Sequence, residues 1–167
     1  YKDPVYIVGS GGSFSTCVFV ADLFTSTVIF ATAVTPLELF YANATFRKSN
    51  IIFISASGSN TDILFAFKKA IESEPLSILS ICIRKKSKLA ELSSKVSGCT
   101  TIGFDPPAGK DGFLATNSLV AYFVILYRAI VSDQLPKKLS MTPPGLLQSF
   151  IKKTDSQTTF VILYGSY

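Results

Sequence analysis

The chain has 167 residues, of which 48% are hydrophobic and 16% are charged, and its formal net charge is +5. That length suits one domain with a substantial core, and two domains of ordinary size would be a tight fit. Histidine is absent, which removes the commonest metal ligand and the commonest general base. The three cysteines match no zinc-site spacing, so we expect no metal, no cofactor and buried, reduced thiols in a cytoplasmic protein.

The apolar stretches do not predict a membrane protein. Residues 18–40 contain Asp22 and a Thr35-Pro36 break, and residues 118–131 are fewer than the roughly 20 needed to cross a bilayer. Basic residues form short groups at 84–88, 137–138 and 152–153, separated by acidic residues. We therefore favour solvated helix ends over a nucleic-acid surface.

The chain opens on an apolar strand, residues 5–9, which enters a glycine loop before a helix at 14–25. The loop reads Gly9-Ser-Gly-Gly-Ser13. A dinucleotide-binding fold would place a third glycine where Phe14 stands, and an acidic residue after the second strand, 27–33, where none occurs. The sequence also lacks the P-loop pattern, so a P-loop nucleotide hydrolase is not expected.

The next helix, predicted at residues 36–46, has a clear start. Thr35 and Glu38 are spaced as a capping box, and Pro36 takes the first helical position.

A third strand, residues 50–55, ends in a hydroxyl-rich turn before a helix at 61–73. The turn reads Ser55-Ala-Ser-Gly-Ser-Asn-Thr-Asp62. Such a junction presents unpaired N–H groups and the positive end of a helix dipole, which suit a phosphate. Single Ser or Asn residues here are also ordinary N-caps, and Asp62 suits the first turn of any helix. Five hydrogen-bonding side chains around a glycine favour anion binding over capping alone.

Later elements continue the alternation, with strands at 76–83 and 99–103 and helices at 87–96 and 113–132. This order predicts a three-layer αβα sandwich with a five-stranded parallel sheet, flavodoxin-like or Rossmann-like, that binds ligands at the carboxyl ends of its strands. Arg84 follows the fourth strand and could add positive potential at that edge. Lys110 and Asp111 lie in a Pro- and Gly-rich loop, which is either a plain connector or a second contact with the ligand.

The two serine-rich loops resemble those of the sugar isomerase (SIS) domain, a family that binds phosphosugars. Residues 55–62 are close to the family pattern S-x-S-G-x-[ST]-x-[DE], with Asn60 at the Ser/Thr position, and residues 9–13 match G-x-G-x-S. A third stretch, residues 110–118, is similar to the family's later substrate-side turn. The resemblance covers about residues 5–133.

The resemblance implies two sets of ligand-binding residues. The phosphate-binding set is Ser55, Ser57, Gly58, Ser59 and Asn60, and the sugar-bordering set is Gly11, Gly12, Ser13, Ala115 and Thr116. Many family members use a Glu or His for catalysis, and neither can be placed here, so the catalytic residues are unknown and are expected beyond Tyr167 or on another subunit.

The implied function is phosphosugar binding as part of an isomerase, an aminotransferring synthase or a deglycase. The alternative is a non-catalytic phosphosugar sensor or regulatory domain, and a weaker one is a flavodoxin-like module with another phosphorylated ligand. Partners are then a phosphosugar, with no nucleic acid and no membrane. We also expect a homo-oligomer or a second SIS domain, because few residues are charged and apolar helix surface should be exposed.

Three segments make up the predicted organisation. Residues 1–133 are the SIS phosphosugar-binding domain, and residues 134–154 are a Pro-rich connector with a short helix. Residues 155–167 read as the first strand of a truncated second SIS domain, or as a final edge strand of the same domain.

Overall fold

The computed structural model of the chain describes residues 3–27, 29–42, 46–104 and 116–130. The predicted connector at 134–154 and the predicted strand at 155–167 lie outside these ranges, as do Lys110, Asp111 and Ala115. Within them, no helix is both long and apolar enough to cross a membrane.

Five strands alternate with five helices along the described chain. They are β1 Val5–Gly9, α1 Gly12–Ser26, β2 Ala31–Val34, α2 Pro36–Tyr41, β3 Asn50–Ser55, α3 Thr61–Glu72, β4 Ser77–Cys82, α4 Lys88–Ser93, β5 Cys99–Gly103 and α5 Thr116–Ile130. All neighbouring strands are parallel, in the order β2-β1-β3-β4-β5. The predicted α/β fold with a five-stranded parallel sheet is confirmed.

Helices cover both faces of the sheet, which explains why the central strands β1, β3 and β4 are largely apolar. Phe53 packs in one core with residues of α2, α3 and α4, while its neighbour Ile54 packs in the other core with residues of α1 and α5. Successive side chains of a strand point to opposite faces, so one run of apolar residues supplies both cores. The predicted three layers are present.

Two element boundaries differ from the predictions by four residues or more, and others differ by up to three. Strand β2 begins at Ala31 rather than residue 27, because the N–H groups of Thr27 and Ile29 donate to the Phe24 carbonyl and close α1. Helix α2 ends at Tyr41 rather than residue 46. Phe46 is buried in the core, yet it belongs to the turn that leads into β3.

Candidate functional site

The two serine-rich loops meet at one point of the sheet edge. Strands β1 and β3 are neighbours, but α1 packs on one face of the sheet and α3 packs on the other. A crevice therefore opens between the two strands at their carboxyl ends, which is where doubly wound sheets bind ligands. The loop after β1 and the loop after β3 form its walls.

A cavity of about 230 Å³ lies in this crevice. Its lining residues are Ser10, Gly12, Ser13, Ile54, Ser55, Ala56, Ser57, Asn60 and Ile63. Five of the predicted ligand residues are thus brought together, and Gly11, Gly58 and Ser59 do not line the cavity. Ser10 also lines the cavity and was not predicted to do so. Its position between Gly9 and Gly11 in the glycine loop is the sequence feature that could have indicated it.

The β3–α3 loop is organised by hydrogen bonds from its own backbone to its serine hydroxyls. The N–H of Gly58 donates to Ser55 Oγ at 3.1 Å, and the N–H of Ser59 donates to Ser57 Oγ at 3.2 Å. A hydroxyl that accepts one hydrogen bond keeps its own hydrogen. Ser55 and Ser57 are therefore fixed in place as donors, whereas the N–H groups of Gly58 and Ser59 are occupied within the loop.

The start of α3 provides further donors. Asn60 is the N-cap, and its Oδ1 accepts from the N–H of Ile63 at 3.1 Å, so the capping interpretation holds for this residue. Its amide NH₂ remains able to donate. The first helical hydrogen bond runs from Leu64 to the Asn60 carbonyl, so the N–H groups of Thr61 and Asp62 precede the helical ladder. Capping and anion binding are therefore compatible here.

Gly58 shapes the loop through a close approach to the start of α4. Its φ is +59°, a conformation that favours glycine, and a Cβ atom would lie 2.5 Å from Ser87 Oγ and 2.9 Å from Cys82 Sγ. The Gly58 carbonyl also accepts from the N–H of Leu89 at 2.9 Å. No other residue fits this position without moving the loop or α4.

The β1–α1 loop forms the opposite wall. Gly11 is the N-cap of α1 with φ +56°, and it offers no side chain to cap the helix. Gly12 and Ser13 then form the first turn of α1 and line the cavity. Thr116 is the first residue of α5, and its side chain is outside the described set, as is the whole of Ala115.

A smaller space of about 20 Å³ lies between α1, α5 and the β3–α3 loop. It is lined in part by Gly12, Ser13 and Ala56, which also line the larger cavity, and by Thr16 and Tyr122. Thr16 Oγ1 is buried with no hydrogen-bond partner among the described residues. The space has about the volume of one water molecule, and its surface is almost entirely apolar. Tyr122 anchors α5 by donating to the Ile81 carbonyl at 3.2 Å.

No charged residue among those described lines the cavity of about 230 Å³ between β1 and β3. Glu38 lies in the capping box at the start of α2, where Thr35 Oγ1 accepts from the Glu38 N–H at 3.2 Å and the Thr35 N–H donates to the Glu38 carboxylate at 2.6 Å. The hydrogen bond from the Thr35 N–H to the carboxylate is the main cause that lowers the pKa of Glu38. Arg84 is exposed in the bend after β4 and does not line the cavity.

The cysteines fit the expectation of unreactive thiols. Burial raises the pKa of Cys17 to about 12 and also raises the pKa values of Cys82 and Cys99. Cys99 is only partly buried, however. Within the described ranges, no three His, Cys, Asp or Glu residues lie close enough together to hold a metal ion.

Sequence comparison and structural comparison give different results. No protein-family model matches the sequence, and no curated protein matches it significantly. Tagatose-6-phosphate ketose/aldose isomerase from Escherichia coli shares the fold with a TM-score of 0.67 and 15% identity, over 79% of this chain and 38% of that one. The C-terminal domain of glucosamine-fructose-6-phosphate aminotransferase from Francisella tularensis has a TM-score of 0.64 and 22% identity, over 78% and 35%.

A third structure with this fold is the NanR protein of Vibrio vulnificus complexed with ManNAc-6P. It has a TM-score of 0.56 and 14% identity, over 79% of this chain and 50% of that one. The chain thus spans half or less of the length of these three proteins. At such identities the likeness establishes the fold, and the described part of the chain has the fold of the SIS domain.

Proposed function

We propose that the chain binds a phosphorylated sugar in the cavity at the carboxyl ends of β1 and β3, with the phosphate on the β3–α3 loop. The observation that carries the proposal is the convergence of both serine loops on one cavity beside the N-terminus of α3. Two of the similar structures are enzymes named for phosphosugars, and the third is complexed with ManNAc-6P.

The donors suit a phosphate without a basic side chain. Ser55 and Ser57 present hydroxyl hydrogens, Asn60 presents its amide, and the first N–H groups of α3 add the positive end of the helix dipole. Oriented dipoles of this kind stabilise an anion in a partly enclosed site. The sugar then extends towards Gly12 and Ser13 on the opposite wall.

Replacing Ser57 by Ala tests the assignment. Loss of one hydrogen bond to a charged group should weaken binding by about 1.5–3 kcal/mol, which is roughly a 10- to 150-fold rise in Kd. Isothermal titration with hexose, amino-sugar and heptose phosphates provides the measurement. Ser26→Ala is the matched control, because Ser26 is exposed at the far end of α1 and bonds only to the Leu23 carbonyl. Equal phosphosugar affinities in the two variants would refute the assignment of the phosphate to this loop.

Catalysis is the second part of the proposal. We place this chain within a phosphosugar isomerase, an aminotransferring synthase or a deglycase, with the proton-transferring groups supplied from outside the described residues or by another subunit. Aldose–ketose isomerisation needs a base near neutral pH. The cavity is lined by neutral side chains only, and the hydrogen bonds of Glu38 lower its basicity.

A phosphosugar sensor is the competing candidate, because that same neutral lining favours binding without chemistry. Proton NMR in D₂O separates the two when the chain is assayed together with the part or subunit that supplies the proton-transferring groups. An isomerase exchanges the hydrogen beside the sugar carbonyl for deuterium, and a sensor that binds the same phosphosugar leaves it in place. A cytoplasmic location and self-association remain predictions from the sequence.

A further inference from the structure

A second cavity lies on the other side of the β3–α3 loop, where residues 84–88 follow β4. It has a volume of about 550 Å³. Its polar lining consists of Ser59, Lys85, Lys86, Ser87, Lys88 and Glu91. None of these six residues lines the first cavity, so the single loop from Ser57 to Asn60 separates a neutral cavity from a basic one.

Main-chain contacts hold the basic segment against the candidate phosphate loop. The N–H of Ile83 donates to the Ala56 carbonyl at 3.1 Å, and the N–H of Leu89 donates to the Gly58 carbonyl at 2.9 Å. These two bonds flank the segment at both ends. The lysines therefore have a fixed place beside the loop, unlike charges on an independent surface tail.

The charge balance of the second cavity is positive. Its lining includes the ammonium groups of Lys86 and Lys88 and one carboxylate, and Glu91 Oε1 already accepts from Lys95 Nζ at 2.7 Å. That hydrogen bond lowers the pKa of Glu91, so the carboxylate stays ionised with its charge offset by a lysine outside the lining. Ammonium groups bind phosphoryl oxygens as point charges. The Ser59 hydroxyl already donates to the Ser57 carbonyl at 3.4 Å, so the lysines supply the attraction for an anion.

We propose that Lys86 and Lys88 form a second phosphoryl-binding subsite, and that the ligand is a sugar carrying two phosphoryl groups. This proposal rests on the phosphosugar-binding function proposed above. Ser57 lines the first cavity and Ser59 the second, and Cα atoms two residues apart are separated by at most roughly 7 Å. The two cavities therefore adjoin across the loop, and each would hold one phosphoryl group of the ligand.

The test compares paired ligands by isothermal titration at low ionic strength: glucose 6-phosphate with glucose 1,6-bisphosphate, and fructose 6-phosphate with fructose 1,6-bisphosphate. We expect a bisphosphate to bind about tenfold more tightly or better. The double variant Lys86→Gln/Lys88→Gln should remove that advantage and leave monophosphate affinity nearly unchanged. The control Lys48→Gln/Lys68→Gln removes the same charge from residues that line neither cavity, and it should preserve the advantage.

The outcomes separate this proposal from the one it rests on. Monophosphate binding that depends on Ser57 but shows no bisphosphate advantage would overturn the subsite alone. The subsite would also be refuted if the Lys86/Lys88 variant weakened the binding of monophosphates and bisphosphates equally. That result would indicate a general electrostatic attraction for anions rather than a specific site. Inorganic phosphate that strengthened monophosphate binding would place a separate ion there and overturn the single-ligand proposal. Absence of binding by both ligand classes would overturn both proposals.

Discussion

Gly58 offers the sharpest test of how the candidate site is built. In the Gly58→Ala variant, an L-residue at φ +59° costs about 1–2 kcal/mol. The new methyl group would also lie 2.5 Å from Ser87 Oγ and 2.6 Å from Ser87 Cβ, and overpacking of this kind costs about 1–3 kcal/mol. We therefore expect a total destabilisation of about 2–5 kcal/mol.

Gly98→Ala is the matched control. Gly98 has φ +80°, but a Cβ atom there would meet nothing within 4 Å, so only the backbone cost of about 1–2 kcal/mol applies. Urea unfolding with linear extrapolation measures both variants, provided that the m-values agree. If the two alanine variants were equally destabilised, the close contact between the loop and α4 would be refuted.

A double-mutant cycle then assigns the excess to Ser87. Ser87→Gly removes the two closest clashing atoms and leaves Cys82 Sγ at 2.9 Å, and glycine at an N-cap costs only a few tenths of a kcal/mol. In the Gly58→Ala background it should recover about 1 kcal/mol or more, seen as a favourable coupling energy. Phosphosugar affinity should fall in Gly58→Ala and stay near the wild-type value in Gly98→Ala, because only the former displaces the serine loop.

Four further predictions concern other parts of the molecule. Tyr122→Phe removes the donor to the Ile81 carbonyl and should lower the free energy of unfolding by about 1 kcal/mol in urea titrations; no change would argue that the hydrogen bond is not formed. Thr35→Ala breaks the capping box of α2 and should also cost about 1 kcal/mol by thermal or urea unfolding, whereas a neutral effect would contradict the cap. Burial raises the pKa of Cys17 from 9.0 to about 12 in the folded protein, so the unfolded chain loses this proton first as pH rises. The contribution of Cys17 to stability should therefore decline as pH rises from 9 towards 12. Thiol reagents at pH 8 should label Cys17 only on unfolding. Exposed apolar residues on α2 and α5, including Leu37, Tyr41, Val120 and Val124, should cause self-association, which a clean monomer in sedimentation at high concentration would contradict.

The strands and helices could be predicted because their signals are local. The three central strands are largely buried and appear as apolar runs, and each following helix has an apolar face or a cap in its sequence. Boundaries were less accurate where apolar residues serve the core without belonging to an element. Phe46 is the example, because its burial resembles a continuation of α2 while its backbone forms a turn.

The composition of the candidate site was predictable, but its internal hydrogen bonding was not. The sequence shows which hydroxyls and amides are present around residues 55–60, and the cavity does bring Ser55, Ser57 and Asn60 together. Which donors remain available depends on backbone geometry. Only the structure shows that the N–H groups of Gly58 and Ser59 are used within the loop, and that Gly58 contacts α4 rather than the cavity.

The buried hydroxyl of Thr16 had no signal in the sequence at all. It lies within the largely apolar helix α1, which also contains other Ser and Thr residues, so one more small polar residue is unexceptional. Its lack of a partner follows from the packing of α1 against α5 and the β3–α3 loop, which are distant in sequence.

The neutral lining of the first cavity has a consequence for the pH profile of binding. No side chain that lines it changes its charge in the ordinary working range, so the protein's own titration contributes little there. A phosphate monoester loses its second proton near pH 6. The variation of affinity between about pH 5 and 8 should therefore follow the ionisation of the ligand, and the same curve should appear for any monophosphate that the cavity accepts.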